Sequence, residues 1–362
     1  MQALVLAGGE GTRLRPLTYT TPKPVMPLAG RPFLSFMLDW ARGHGVDEVI
    51  LSCGFMSGQV RRVLGDIYDG MRLRYVVEEE PLGTAGPVRL AYDEGLLEER
   101  LLVLNGDVLT DIDLTEELDR HHRTGARATL ALYAVDDVAS YGVVPTDSEG
   151  RVEEFIEKGQ GDPPTNRINA GAYVLERDVV EEISPGRPVS FEREVFPALV
   201  GNGLYGWDAE GYWIDIGTPE RYLESTYDLL GGRVRSTLPP RDETGSLVYE
   251  GCLLSGAHIG PQSVLGRNCS VGTDSTVDRS VLHDRVMVGA DCVIRGSVLG
   301  ERVRVGERAQ IAAGAMVGSG AVIGEDAELG PGARLDPGVR IEAGGRVAPG
   351  ELVAAPDGEP VG

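Results

Sequence analysis

The stretch "LGERVRVGERAQIAAGAMVGSGAVIGEDAELG", residues 299 to 330, decides the fold of the C-terminal part of the chain. Steps of six from Leu299 land on Val305, Ile311, Val317, Ile323 and Leu329, and continue to Leu335, Ile341, Val347 and Val353. Upstream, Ile259, Leu265, Val271 and Val277 keep the same step. One five-residue step leads to Leu282, Val288 and Ile294, and a second leads to Leu299. A period of six fits neither a helix of 3.6 residues per turn nor strand alternation. It fits a parallel β-helix with one hexapeptide per face, the aliphatic residue pointing inward. Glycine follows many of the stops (Gly300, Gly306, Gly318, Gly324, Gly330), where close approach of backbone suits it. Three hexapeptides close one coil, so about five coils stack as a solenoid.

The first 230 residues have a different grammar. "ALVLA", "EVILSC", "LRYVVE", "LLVLNGD", "ATLALYAV" and "AGAYVL" are apolar runs of strand length. "PFLSFMLDWARGHG", "SGQVRRVLGDIY", "TAGPVRLAYDEGL" and "TEELDRHHRTG" carry amphipathic helical spacing. Alternation of the two predicts an α/β layer fold with a mainly parallel central sheet, whose ligands gather at the carboxyl ends of the strands. "TLPPRDETGS", residues 237–246, is a natural linker. The expected order is therefore an α/β domain over 1–236, a linker over 237–250, a β-helix over 251–355 and a tail over 356–362.

The chain is strongly acidic, with a formal net charge of −22. Such a surface repels nucleic acid and anionic lipid. No apolar run reaches the roughly 18 residues of a membrane span, and "MQALVLAGG" has the form of a first strand rather than of a secretory leader. A cytoplasmic protein is expected. The four cysteines, Cys53, Cys252, Cys269 and Cys292, show no CxxC spacing and are expected as small apolar core residues.

Of 34 basic residues only two are lysine, Lys23 in "TTPKPVMP" and Lys158 in "FIEKGQG". The first belongs to "LVLAGGEGTRLRPLTYTTPKP", residues 4–24. Glycines directly after a first strand let backbone N–H groups approach a phosphate or a base. The string is neither the dinucleotide fingerprint, since Leu14 stands at the third glycine, nor a Walker loop, since no GK[ST] follows. It resembles the signature of the sugar-1-phosphate nucleotidyltransferases. "EEEPLGTAG" (78–86), "LNGD" (104–107), "YGVV" (141–144), "FIEKG" (155–159), "INAG" (168–171) and "WIDIGTP" (213–219) follow in that family's order. The resemblance spans almost the whole chain and is nearest the guanylyltransferase branch that takes mannose-1-phosphate. Gly159 departs from the family's E-K-P triplet.

The resemblance implies a Rossmann-like catalytic domain followed by a left-handed β-helix. It implies attack of a sugar-1-phosphate oxygen on the α-phosphorus of an NTP, with release of pyrophosphate. A phosphate monoester, with its second pKa about 6, is already ionised at neutral pH. No general base is needed, in keeping with motifs that contain no histidine. Catalysis then reduces to positioning and charge neutralisation. By the same resemblance Arg13 grips the β- and γ-phosphates and Lys23 contacts the α-phosphate. Asp107 and Asp215 hold Mg2+. Leu6, Ala7, Gly8, Gly9, Gly11 and Thr12 flank the nucleotide, with Glu78, Gly83 and Thr84. Gly142, Glu157, Asn169 and Gly171 meet the sugar, and Lys158 meets its phosphate.

Glu78 also bears on the base. A glutamine amide both donates and accepts, which matches a pyrimidine edge, whereas a carboxylate only accepts. Guanine presents two adjacent donors, so Glu78 favours GTP. Mannose-1-phosphate is the first choice of sugar; heptose-1-phosphate, and glucose-1-phosphate with a thymidylyl or uridylyl donor, stay open. A non-catalytic regulatory homologue is disfavoured because Arg13, Lys23, Asp107, Lys158 and Asp215 are all present. A homo-oligomer assembled through the β-helix is expected.

Overall fold

The computed structural model describes residues 1–54, 56–156 and 163–355. The chain divides into two compact units, Met1–Gly9 with Met37–Trp213, and Glu10–Phe36 with Ile214–Gly362. This division cuts across the one read from sequence grammar. The segment from Glu10 to Phe36, which carries most of the "GGEGTRLRPLT" and "PKP" motif, groups by contact with the coils rather than with the strand that precedes it.

The first unit is built on an eight-stranded sheet of β1 (Gln2–Leu6), β2 (Glu48–Cys53), β3 (Ile67–Tyr68), β4 (Met71–Val77), β5 (Arg100–Asn105), β6 (Ala128–Ala134), β7 (Arg167–Glu176) and β8 (Leu204–Asp208). The spatial order is β8-β6-β7-β5-β1-β2-β4-β3. Only β7 and β3 run against the others. The central strands are continuous apolar runs because both faces are covered: Ala3, Leu4 and Val5 of β1 and Leu102 and Val103 of β5 are buried. Crossover helices Ser57–Leu64, Gly86–Asp93 and Leu114–Thr124 join the parallel strands. Asp113 caps the last of these, its carboxylate accepting from Thr115 N–H and Glu116 N–H, and Gly125 ends it in the left-handed region.

In the second unit three parallel sheets of seven, six and six short strands form the β-helix, matching the period of six. The first strand is Leu247–Val248, a few residues ahead of the expected start at 251. Val264 pairs with Val281, and Val281 with Val298, steps of seventeen residues. Val298 then pairs with Met316 and Met316 with Arg334, steps of eighteen. The two five-residue steps of the sequence thus each shorten one coil by a residue without breaking the ladder. The aliphatic stops from Leu265 to Val347 form one interior column. Between them the corners take up positive φ, as at Asn268, Asp291, Arg308 and Asp326. All four cysteines are free thiols; Cys53, Cys269 and Cys292 are buried and Cys252 is half-buried. Among the described residues no helix is long and apolar enough to cross a membrane.

Candidate active site

Within the first unit the carboxyl ends of β1, β2, β4 and β5 lie side by side. Leu6 stands opposite Ser52 on one flank and Asn105 on the other. The chain keeps the register one residue past each strand: Ala7 N–H donates to the Ser52 carbonyl, Glu78 N–H to Cys53 and Gly106 N–H to Leu6, each at 2.9 Å. Leu6, Ala7, Gly8 and Gly9, together with Glu78 and Asp107, are therefore delivered to one edge of the sheet, where ligands of such folds bind.

Glu78 is held there firmly. Its Oε1 accepts from the Ser52 hydroxyl at 2.6 Å and its Oε2 from Leu82 N–H at 3.0 Å. A side chain at position 8 would put its Cβ 2.6 Å from Glu78 Oε1, so glycine is required for the carboxylate to lie across the end of β1. Each carboxylate oxygen retains a further lone pair for a ligand donor. The neighbouring turn is stitched to residues 189–192: Ala85 N–H donates to the Val189 carbonyl at 2.9 Å, and Gly83 at φ +77 packs on that carbonyl. The Thr84 hydroxyl donates to Glu192 at 2.8 Å and accepts from Phe191 N–H at 2.8 Å. Thr84 thus shapes the turn, and its hydroxyl is occupied within the protein.

The same unit collects the motifs assigned to the sugar. Val143, beside Gly142, bridges both Ile156 and Ile168. This brings "YGVV", the start of "FIEKG" and "INAG" together; Glu157 and Lys158 themselves lie outside the described residues. The ladder of β7 shifts register between Asn169 and Tyr173. In that bulge Asn169 donates to the Tyr173 hydroxyl at 2.9 Å and accepts from Gly171 N–H at 3.0 Å. Gly171, at φ +77, stacks against Asn105. Trp213 donates to the Ala170 carbonyl at 2.8 Å, with Tyr133 stacked on its ring at 5.7 Å and Tyr141 edge-on at 5.6 Å. These three half-buried rings border the "INAG" bulge.

Within the second unit Gly11 opens a short 3-10 turn, Thr12–Leu14, at φ 64. The Thr18 hydroxyl donates to the Gly11 carbonyl at 2.8 Å. Arg13 is exposed, and a Cβ at Gly217 would lie 2.7 Å from its guanidinium, so "WIDIGTP" passes directly beneath it. Most arginines of this chain are paired with acids; Arg15, two residues on, is bridged to Glu10. Among the described residues no carboxylate forms an ion pair with Arg13, which leaves a planar fork of donors for an anion. Lys23 begins the turn Lys23–Val25 between two prolines and is buried at 9 % exposure. Asp215 is half-buried at the end of the strand Trp213–Asp215, and the helix Pro219–Gly231 starts just beyond, capped by Thr218.

Sequence reasoning missed Ser52, the residue that holds Glu78, and the aromatic trio of Tyr133, Tyr141 and Trp213. Ser52 offered a signal only as a polar residue in the otherwise apolar strand "EVILSC".

Residues 2–231 match the nucleotidyl transferase family, and residues 245–329 match the EIF2B subunit epsilon LbH domain. The chain belongs to the nucleotidyl transferase family. It is 43% identical over 291 residues to a mannose-1-phosphate guanylyltransferase of Mycobacterium tuberculosis, covering 79% of this chain and 80% of that protein. It is 35% identical over 334 residues to mannose-1-phosphate guanylyltransferase 1 of Arabidopsis thaliana, covering 86% and 89%. Among solved structures, HddC from Yersinia pseudotuberculosis superposes with a TM-score of 0.54 at 30% identity, over 62% of this chain and 97% of that one. HddC complexed with GMP-PN superposes with a TM-score of 0.52 at 29% identity over the same shares.

Proposed function

We propose that this chain transfers a guanylyl group from GTP to mannose-1-phosphate, forming GDP-mannose and releasing pyrophosphate. The observation that carries the reading is the 43% identity to a mannose-1-phosphate guanylyltransferase over four-fifths of both chains. The bond formed joins the sugar-phosphate oxygen to the α-phosphorus. The bond broken joins that phosphorus to the oxygen bridging to the β-phosphorus, whose electron pair leaves on pyrophosphate. The nucleophile arrives ionised, and the protein's task is to hold anions against a chain of net charge −22.

Each residue then has one part. Arg13 takes the β- and γ-phosphates with a two-pronged contact, and Lys23 places a compact charge on the α-phosphate. Glu78, fixed by Ser52 and Leu82, accepts from guanine N1–H and N2–H. Asn169 and the backbones of Gly142 and Gly171, with Glu157, read the sugar hydroxyls, and Lys158 binds the sugar's phosphate. Nucleotidyltransferases of this family commonly use a divalent metal. Asp107 and Asp215, two half-buried hard-oxygen donors, fit Mg2+, which takes few carboxylates and leans on substrate phosphates. When bound, the ion would neutralise phosphate charge. We assign the enzyme to the cytoplasm and expect a homo-oligomer, testable by light scattering at micromolar concentration.

The deciding assay crosses five NTPs with a panel of sugar-1-phosphates in the presence of Mg2+ and reads pyrophosphate. GTP with mannose-1-phosphate is expected to give the highest kcat/KM. Greater turnover of UTP or dTTP with glucose-1-phosphate, or of GTP with a heptose-1-phosphate, would replace this reading.

A further inference from the structure

The turn that carries Lys23 is fastened to the β-helix on both sides of the lysine. Three residues before it, the Thr20 hydroxyl bonds the Ser319 hydroxyl at 3.2 Å. Four residues after it, the Tyr222 hydroxyl donates to the Pro27 carbonyl. Two residues further, the Tyr249 hydroxyl donates to the Ala29 carbonyl at 2.8 Å, its ring packed over Gly30 at φ +78. Arg31 then donates to the Thr237 carbonyl at 2.6 Å. Between the tethers the backbone is closed on itself, with Met26 N–H donating to the Lys23 carbonyl at 3.2 Å and Phe33 N–H to Met26 at 3.0 Å.

The tether at Pro27 is two bonds deep. Tyr222 is fully buried, and His283 Nε2 lies 3.2 Å from its hydroxyl. A carbonyl can only accept, so the single tyrosyl proton is committed to Pro27. The hydroxyl oxygen is then left to accept, and His283 must donate to it from Nε2–H, which fixes the imidazole tautomer. His283 follows the coil strand Val281–Leu282, and Tyr222 lies on the helix that starts just after Asp215.

We propose that His283 and Tyr222 are positioning residues for nucleotide phosphate binding, and that the β-helix sets the place of Lys23 through them. This rests on the proposed reaction for the identity of the nucleotide and for the contact of Lys23 with its phosphate. Neither residue touches substrate. Each acts through the Pro27 carbonyl and hence through the turn Lys23–Val25. A lysine displaced by even a fraction of an ångström from its phosphate loses catalysis out of proportion to the contact removed. The effect is specific to one substrate, because the sugar motifs stand on β7 and the "YGVV" segment, which these tethers do not reach.

Steady-state kinetics of Tyr222→Phe, His283→Leu and His283→Gln test this, with thermal unfolding alongside. Tyr222→Phe and His283→Leu are expected to raise the KM for the NTP by about tenfold and to lower kcat. The KM for the sugar-1-phosphate should stay within about twofold. Glutamine keeps an N–H donor, so His283→Gln should remain within about threefold of wild type on both substrates. If Tyr222→Phe does not fold, the double variant Tyr249→Phe with Ser319→Ala should shift the NTP KM in the same direction by about threefold. Wild-type NTP kinetics in the variants that fold, or an equal rise in both KM values with a lowered Tm, would overturn the proposal. Wild type that is inert with GTP but active with another NTP would fail the guanylyl reading alone, and the variant ratio would be taken on that NTP.

Discussion

His283 gives the β-helix an acid sensitivity whose size follows from its surroundings. Burial against Tyr222 pushes its pKa down from 6.5 to about 4. In the unfolded chain the imidazole takes up a proton near 6.5, whereas in the folded chain it stays neutral until about 4. The unfolded state therefore binds more protons throughout that window, and stability is lost as pH falls through it. Linkage puts this residue's share of the loss at about 2 kcal/mol between pH 7.5 and 5. Urea unfolding at those two pH values, followed by circular dichroism, measures it as the difference between wild type and His283→Gln. Groups remote from position 283 are common to both proteins and cancel in the difference. The variant should lose about 2 kcal/mol less than wild type. Equal losses would show that His283 is solvated, and the assignment of its tautomer would fall with them.

Lys23→Arg and Lys158→Arg conserve charge but replace a compact ammonium with a planar fork, and each should cost about 10²-fold in kcat; wild-type rates in both would remove their assigned roles. Asp107→Asn should abolish pyrophosphate release at any Mg2+ concentration, and near-normal turnover would refute the metal assignment. Glu78→Gln can keep both of its anchors, because the amide oxygen accepts from Leu82 N–H while the amide nitrogen donates to the Ser52 hydroxyl. It should fold normally and shift preference from GTP towards UTP or dTTP by about tenfold or more, since each mismatched donor or acceptor in a binding site is costly; an unchanged NTP profile would discard Glu78 as the base reader.

Much of this architecture is written in short-range pattern. The period of six fixes the coils, and two shortened ones are visible as five-residue steps at Val277–Leu282 and Ile294–Leu299, whereas the earlier seventeen-residue step from Leu247 to Val264 lies ahead of the pattern read from the sequence. The central sheet is equally plain in runs such as "ALVLA" and "LLVLN". Two features have no such signature. The segment from Glu10 to Phe36 groups with the coils through contacts such as Tyr249 on Ala29 and Tyr222 on Pro27, some 200 residues apart in sequence. A side chain that donates to a distant carbonyl leaves no periodic trace. Likewise the motif "EEEPLGTAG" singles out Glu78 and Thr84 as candidates, but only the fold reveals that Ser52 pins the first and that Glu192 occupies the second. Motif strings mark where chemistry happens; which hydroxyl faces the ligand and which braces the turn depends on partners brought by other strands.

The tethers of the Lys23 turn also order events during synthesis. The turn leaves the ribosome well before its partners, because Tyr222, Tyr249 and His283 follow it by about 200 to 260 residues. Chains grow at roughly 5–20 residues per second, so the Lys23 turn waits tens of seconds for the groups that fasten it. Each coil, by contrast, pairs with a neighbour seventeen or eighteen residues away and can close as soon as it emerges. The Lys23 turn is thus translated long before the groups that fasten it, and a nascent chain cannot hold that turn in place before the solenoid has begun to form.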